Sequence, residues 1–242
     1  YKTGTTAPSI DMGIEVNATQ LNSENDSFGP DYDKNATYPV ASASELGSAL
    51  NEGKIVALSK DITTNDTIVV NKNTDATLDA NGKTVDNAKD IWDETTGNWS
   101  LVSARNQANL TITGNGTFNA KKDDCFAVDV QDGSTVTIKN GTFVGNVHAV
   151  YVLEGTAIIE GGTYSVQQKY SDASKADEFV LNCYDKNRTN GTAKIIVKGG
   201  TFINFNPADC QAEGAHTNFV AAGYKVVSEK HGPETWYTVV KN

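Results

Sequence analysis

The stretch Ala149-Val-Tyr-Val-Leu-Glu-Gly-Thr-Ala-Ile-Ile-Glu-Gly-Gly-Thr-Tyr164 decides how this chain folds. Two short β-branched runs, Val150-Tyr-Val152 and Ala157-Ile-Ile159, carry the two-residue period of strands with one buried face. Gly155 and the Gly161-Gly162 pair break them into turns. The stretch ends on Gly-Thr-aromatic, and that signature recurs at Gly116-Thr117-Phe118, Gly141-Thr142-Phe143 and Gly200-Thr201-Phe202.

Working outward, each signature follows an alternating run: Leu110-Thr-Ile-Thr113, Val136-Thr-Ile-Lys139, Ala157-Ile-Ile-Glu160 and Ile195-Ile-Val-Lys198. Leu78-Asp-Ala-Asn-Gly-Lys-Thr-Val85 is a degenerate copy. A second run per repeat aligns Phe126–Val130, His148–Val152 and Phe179–Cys183, with Leu101–Ala104 a poorer match. The glycine intervals are 25, 21 and 38 residues, the last holding insertions near Gln167–Asp177 and Asp185–Gly191. Helical repeats of this length need a 3.6-residue period, which is missing. The expected fold is therefore all-β, a single-stranded parallel β-helix of about five or six stacked coils.

Stacking places like residues above like. Val128, Val150 and Leu181 form one expected inward column, and Val130, Val152 and Cys183 the next. Val136, Ala157 and Ile195 form a third, with Ile138, Ile159 and Val197 beside it. Each coil buries about five apolar side chains, at roughly 1.5–3 kcal/mol each before entropy is subtracted. The repeat glycines are expected at φ > 0.

The open ends of such a stack need covers. Ser42-Ala-Ser-Glu45 is a capping box, Leu46 and Leu50 lie one helical turn apart, and Gly53 suits the C′ position. Tyr224–Val227 and Trp236–Val240 flank Gly232-Pro233 and predict a closing hairpin. The expected organisation is 1–40 an extended arm or the remnant of a preceding domain, 41–207 the β-helix with its helical cap, and 208–242 the capping hairpin.

Hydrophobic residues are 38% and charged residues 21%, the balance of a folded domain rather than a disordered one. The net charge is −10 and Arg105 and Arg188 are the only arginines, which argues against nucleic acid and anionic membranes as partners. No apolar run is long enough to span a bilayer. The chain starts without Met or a secretion signal, as expected of a mature form or a fragment. Acidic, Asn/Thr/Gly-rich composition suits an extracellular or cell-surface setting. Cys125, Cys183 and Cys210 have no metal or redox spacing; they read as buried thiols, with a Cys183–Cys210 bridge the alternative. No metal or cofactor motif is present.

The coil pattern of Ala149–Tyr164 resembles the right-handed β-helix repeats of the pectate-lyase-like superfamily, above all the non-catalytic copies in surface proteins of Gram-positive bacteria. The resemblance spans about residues 54–207 and implies fold more than function. Ile14-Glu-Val-Asn-Ala-Thr-Gln20 and Asp26-Ser-Phe-Gly-Pro-Asp-Tyr-Asp33 resemble the end of a camelysin-type biofilm-fibre domain, implying a preceding fibre-type domain as associate.

Asp123-Asp124-Cys125 resembles the Asp-Asp-Cys segment of polygalacturonases, which implies Asp123 and Asp124 as acid and base. The rest of that pattern departs: Asn73-Thr74-Asp75 lies two coils away, His148 stands in Asn-Val-His-Ala rather than Gly-His-Gly, and no Arg-x-Lys follows. Solvated turn residues are the plainer reading of the pair. The candidate binding surface is the outward row of the second strands, Ser103, Asp129, Tyr151 and Asn182, joined by Trp92 and Trp99 of the acidic loop Asp90–Trp99. Tyrosine and tryptophan stack on sugars while carboxylate and amide groups bond their hydroxyls. The leading expectation is a non-catalytic surface or matrix module, such as an adhesin, whose partner is a glycan or a host or matrix protein. The alternatives are a polysaccharide-degrading β-helix enzyme and a phage fibre or appendage.

Overall fold

The alternating runs become strands that pair in parallel, with the β-branched residues in register. Leu110, Val136, Ala157 and Ile195 are successive partners, as are Ile112, Ile138, Ile159 and Val197. Every one of these side chains is buried. The computed structural model describes residues 36–121, 125–168 and 179–242. The Ile14–Gln20 and Asp26–Asp33 stretches with the fibre-domain resemblance lie outside the described residues, as does the Gln167–Asp177 insertion from residue 169 onward.

Three sheets result. A seven-stranded sheet runs through Thr37–Val40, Ile55–Leu58, Asp75–Asp79, Asn109–Thr113, Ser134–Ile138, Gly155–Ile159 and Ala193–Val197. A five-stranded sheet holds Ile68–Val70, Ser100–Ala104, Phe126–Val130, Val150–Val152 and Leu181–Cys183. The eight-stranded sheet contains the Gly-Thr-aromatic strands Thr117–Asn119, Thr142–Gly145, Thr163–Val166 and Thr201–Ile203, preceded by Ile62–Thr64 and Thr84–Asn87. From Ile55 to Ile203 the chain enters the seven-, eight- and five-stranded sheets in that fixed order, and each strand pairs in parallel with the equivalent strand of the next passage. The architecture is all-β with parallel sheets. Ser100–Ala104, the weak match in sequence, pairs Val102 with Val128 as regularly as the others.

The aromatic of each signature points inward. Phe118, Phe143, Tyr164 and Phe202 stack with centroids 5.0, 5.2 and 4.9 Å apart and planes within 13° of parallel. Tyr164 is fully buried, and its hydroxyl donates to the Gly161 carbonyl at 2.6 Å, so the polar atom is satisfied. Gly141, Gly162 and Gly200 hold φ of +119°, +97° and +98°. Gly116 departs from the expectation: Gly114 takes the positive φ there, and Gly116 is required because a Cβ would sit 2.4 Å from the Lys83 carbonyl oxygen.

Helix Ala43–Asn51 starts at Ser42, whose hydroxyl accepts from Glu45 N at 3.2 Å, while Glu45 reaches back to Ala41 N at 2.8 Å. Leu46 and Leu50 are buried in the core. Thr37–Val40, expected in the arm, instead pairs in parallel with Ile55–Leu58. Asp185–Asn190, expected as a projecting insertion, is a short helix ended by Gly191 at φ +85°. At the C-terminal end Tyr224–His231 and Glu234–Lys241 form an antiparallel hairpin, joined to Thr201–Ile203 through Trp236–Thr238.

Candidate functional site

The outward row of the five-stranded sheet is in register, Ser103 beside Asp129, Asp129 beside Tyr151, Tyr151 beside Asn182. The sequence reads this row as a candidate binding surface, but not all of it reaches solvent. Ser103 and Asp129 are fully buried, and Asn182 is 8% exposed. The cause is the loop after Thr84–Asn87, which folds over that face and is fastened there. Arg105 donates from Nη1 to Thr96 O at 3.0 Å and from Nη2 to Gly97 O and Asn98 Oδ1 at 2.7 and 2.8 Å. Gln131 Nε2 donates to Gly97 O at 2.8 Å, and Asn98 Nδ2 to Asp66 Oδ1 at 2.9 Å. Within the loop Asp93 and Asn98 exchange both backbone bonds.

Asp129 therefore belongs to the fastening and not to a surface. Its Oδ1 accepts from Ser103 Oγ at 2.6 Å and Gln131 Nε2 at 3.1 Å, and its Oδ2 faces Ser100 Oγ at 2.8 Å. Ser103 Oγ in turn accepts from Arg105 Nε at 2.9 Å. Burial pushes the Asp129 carboxyl up to about 6, against the downward pull of Ser103, Ser100, Arg105 and Gln131.

The same loop carries Trp92 and Trp99 to the edge of the row. Their rings lie 5.9 Å apart; Trp92 meets Phe126 edge-on at 5.4 Å, and Trp99 meets Tyr151 edge-on at 6.3 Å. Both tryptophans and Tyr151 are half-buried. Together they wall an open cleft of about 670 Å³. Glu94, Gln168, Asn182 and Glu213 supply its polar groups. The Trp99 Nε1 is buried without a hydrogen-bond partner among the described residues.

His148 forms the inner wall. Its Nδ1 lies 2.6 Å from the Phe179 carbonyl oxygen and so carries the proton, and its ring stacks on Tyr151 at 5.5 Å. Burial lowers its pKa to about 4, so it is neutral at physiological pH. A tethered, weakly basic imidazole is a poor proton acceptor at neutral pH. Asp123 and Asp124 lie outside the described residues.

The structure thus brings Trp92, Trp99, Tyr151, Asn182 and His148 to one cleft and leaves Ser103 and Asp129 beneath its supporting loop. Glu94, Gln168 and Glu213 were not anticipated. Glu213 sits in the turn Ala212–Gly214 at φ +52°, more than 60 residues from Tyr151 in the chain, so no local pattern marks it. Arg105 had one available signal, as one of only two arginines.

Cys125, Cys183 and Cys210 are buried thiols without a disulfide. Burial pushes Cys125 and Cys183 up to about 12. Among the described residues no three His, Cys, Asp or Glu side chains converge on a metal position, and no helix is long and apolar enough to cross a membrane. No protein-family model, curated protein or solved structure matches the chain.

Proposed function

We propose that this chain is a non-catalytic extracellular or cell-surface module that binds a glycan in the aromatic cleft, carried on a single-stranded right-handed parallel β-helix. The fixed seven-eight-five order of strands supports the winding, since each passage advances the chain by one strand in every sheet. Right-handedness follows the general rule for parallel crossovers. The resemblance to pectate-lyase-like surface proteins adds to the same reading.

One observation carries the function: Trp92, Trp99 and Tyr151 present half-buried rings at one cleft beside the amides of Gln168 and Asn182. Flat apolar faces next to hydrogen-bonding groups suit a sugar ring, whose C–H face and hydroxyl rim need both. The loop bearing the tryptophans is held by Arg105 and Gln131, so little ordering entropy remains to be lost on binding. His148 is locked and neutral, which favours a recognition role over a chemical one.

The test is calorimetry and tryptophan fluorescence with the whole chain against neutral, acidic and amine-bearing oligosaccharides. Trp99→Ala and Tyr151→Ala are expected to weaken binding about tenfold or more, worth about 1.4 kcal/mol. Silence across the panel rejects the glycan reading. Sugar release from polygalacturonate that Asp123→Asn or Asp124→Asn abolishes would make the chain an enzyme instead.

A further inference from the structure

We infer that the saccharide taken by this cleft is cationic, an amino sugar with its amine unsubstituted, rather than its N-acetylated or uronic acid counterpart. The inference rests on the glycan reading above and narrows it. The first observation is the charge of the lining. Glu94 and Glu213 are its ionisable polar groups besides Tyr151 and the neutral His148, and no Lys or Arg lines the cleft among the described residues.

The second observation is that Glu213 stands in a negative surrounding. Partial burial raises its carboxyl first and the neighbouring Asp185 raises it further, while Arg188 and a hydrogen bond with Asn182 pull the other way. Arg188 is itself paired with Asp185, which reduces what it offers Glu213. An incoming ammonium would relieve that imbalance, and an incoming carboxylate would add to it.

The third observation is the aromatic wall. The faces of Trp92, Trp99 and Tyr151 carry the negative lobe of the ring quadrupole, which attracts ammonium as well as C–H. At longer range the net charge of −10 concentrates polycations and repels polyanions. An acetyl group on the same nitrogen removes the charge and keeps the ring, so the two sugars separate charge from stacking.

The experiment compares the tetramers of glucosamine, N-acetylglucosamine and galacturonate on the whole chain by calorimetry, near pH 6.5, where a sugar amine is protonated. Glucosamine tetramer is expected to bind about tenfold tighter than the acetylated one, and galacturonate not measurably. Glu94→Gln with Glu213→Gln is expected to bring the ratio of the two affinities from about tenfold to about one, a change in relative affinity that a general loss of fold or of sugar binding would not produce. Trp99→Ala is expected to weaken both neutral and amine-bearing sugars. Equal or tighter binding of the acetylated or galacturonate tetramer overturns the cationic assignment and leaves the glycan reading standing. A glucosamine preference that survives the double carboxylate variant, or glucosamine binding that Trp99→Ala leaves at full strength, overturns it too, because the attraction then comes from the whole surface. No binding by any of the three, or by any other sugar, defeats the glycan reading itself.

Discussion

Asp129 is expected to make this protein lose stability as pH rises from about 4 to about 6, the reverse of ordinary acid denaturation. Hydrogen counting shows why. Ser100 Oγ lies 2.8 Å from both Asp129 Oδ2 and the Val102 carbonyl oxygen, two acceptors when the carboxylate is ionised. The hydroxyl has one hydrogen, so one acceptor is left unserved. With Asp129 neutral, its O–H donates to Ser100 and Ser100 donates to Val102, while Oδ1 still accepts from Ser103 and Gln131. The carboxyl is fully buried, and burial pushes it up to about 6 from an ordinary 3.8. The folded state therefore keeps a proton that the unfolded chain has released across that window. The stabilisation is complete below about 3.8 and is lost as pH passes about 6; two pH units correspond to about 3 kcal/mol. Asp129→Asn preserves the shape, placing an N–H donor toward Ser100 at every pH. Urea unfolding of both proteins between pH 4.5 and 7.5 reads the effect. The stability of the parent relative to the variant should fall by about 2 kcal/mol across the range, the part of the window that lies above pH 4.5. A difference that stays flat, or rises with pH, refutes the neutral-carboxyl argument.

Four further outcomes follow from the packing. Phe143→Ala removes the second ring of a buried four-ring stack and should cost about 3–5 kcal/mol by denaturant titration. Gly141→Val forces a β-branched residue to φ +119° with its Cβ 3.1 Å from the Phe143 ring, and a loss above about 1 kcal/mol is expected; an unchanged midpoint would remove the assigned turn. Arg105→Ala frees the Thr96 carbonyl and leaves the Gly97 carbonyl to Gln131 alone, so amide exchange should quicken in the Asp93–Trp99 loop and sugar binding weaken, with the Phe143 stack undisturbed. Cys125 and Cys183, pushed up to about 12, should resist iodoacetamide at neutral pH until denaturant opens the core.

The strands, their inward columns and both capping elements could be read from the chain because each is encoded locally. Period-two alternation assigns Val136, Ala157 and Ile195 to one side, and the Gly-Thr-aromatic spacing sets which residue stacks on which. Ser42 and Glu45 mark a helix start within four residues. Ser103, Asp129, Tyr151 and Asn182 could be named as candidate binding groups from strand position, and Trp92 and Trp99 from residue type in an acidic loop; Trp92, Trp99, Tyr151 and Asn182 line the cleft, and Ser103 and Asp129 do not.

What the alternation could not decide was which outward residues meet water. Pointing away from the core is a property of one strand; being covered depends on a loop that returns from elsewhere. Ser103 and Asp129 face outward as their period demands, yet the Asp90–Trp99 loop closes over them because Arg105 and Gln131 find its carbonyls. Glu213 likewise joins Tyr151 and Asn182 only through the path taken after the last parallel strand. The strand pattern is written locally along the chain, because backbone sterics and side-chain alternation act between near neighbours. Which polar groups are sealed and which line the cleft emerges when the chain has packed, because desolvation is set by whatever distant segment lies on top.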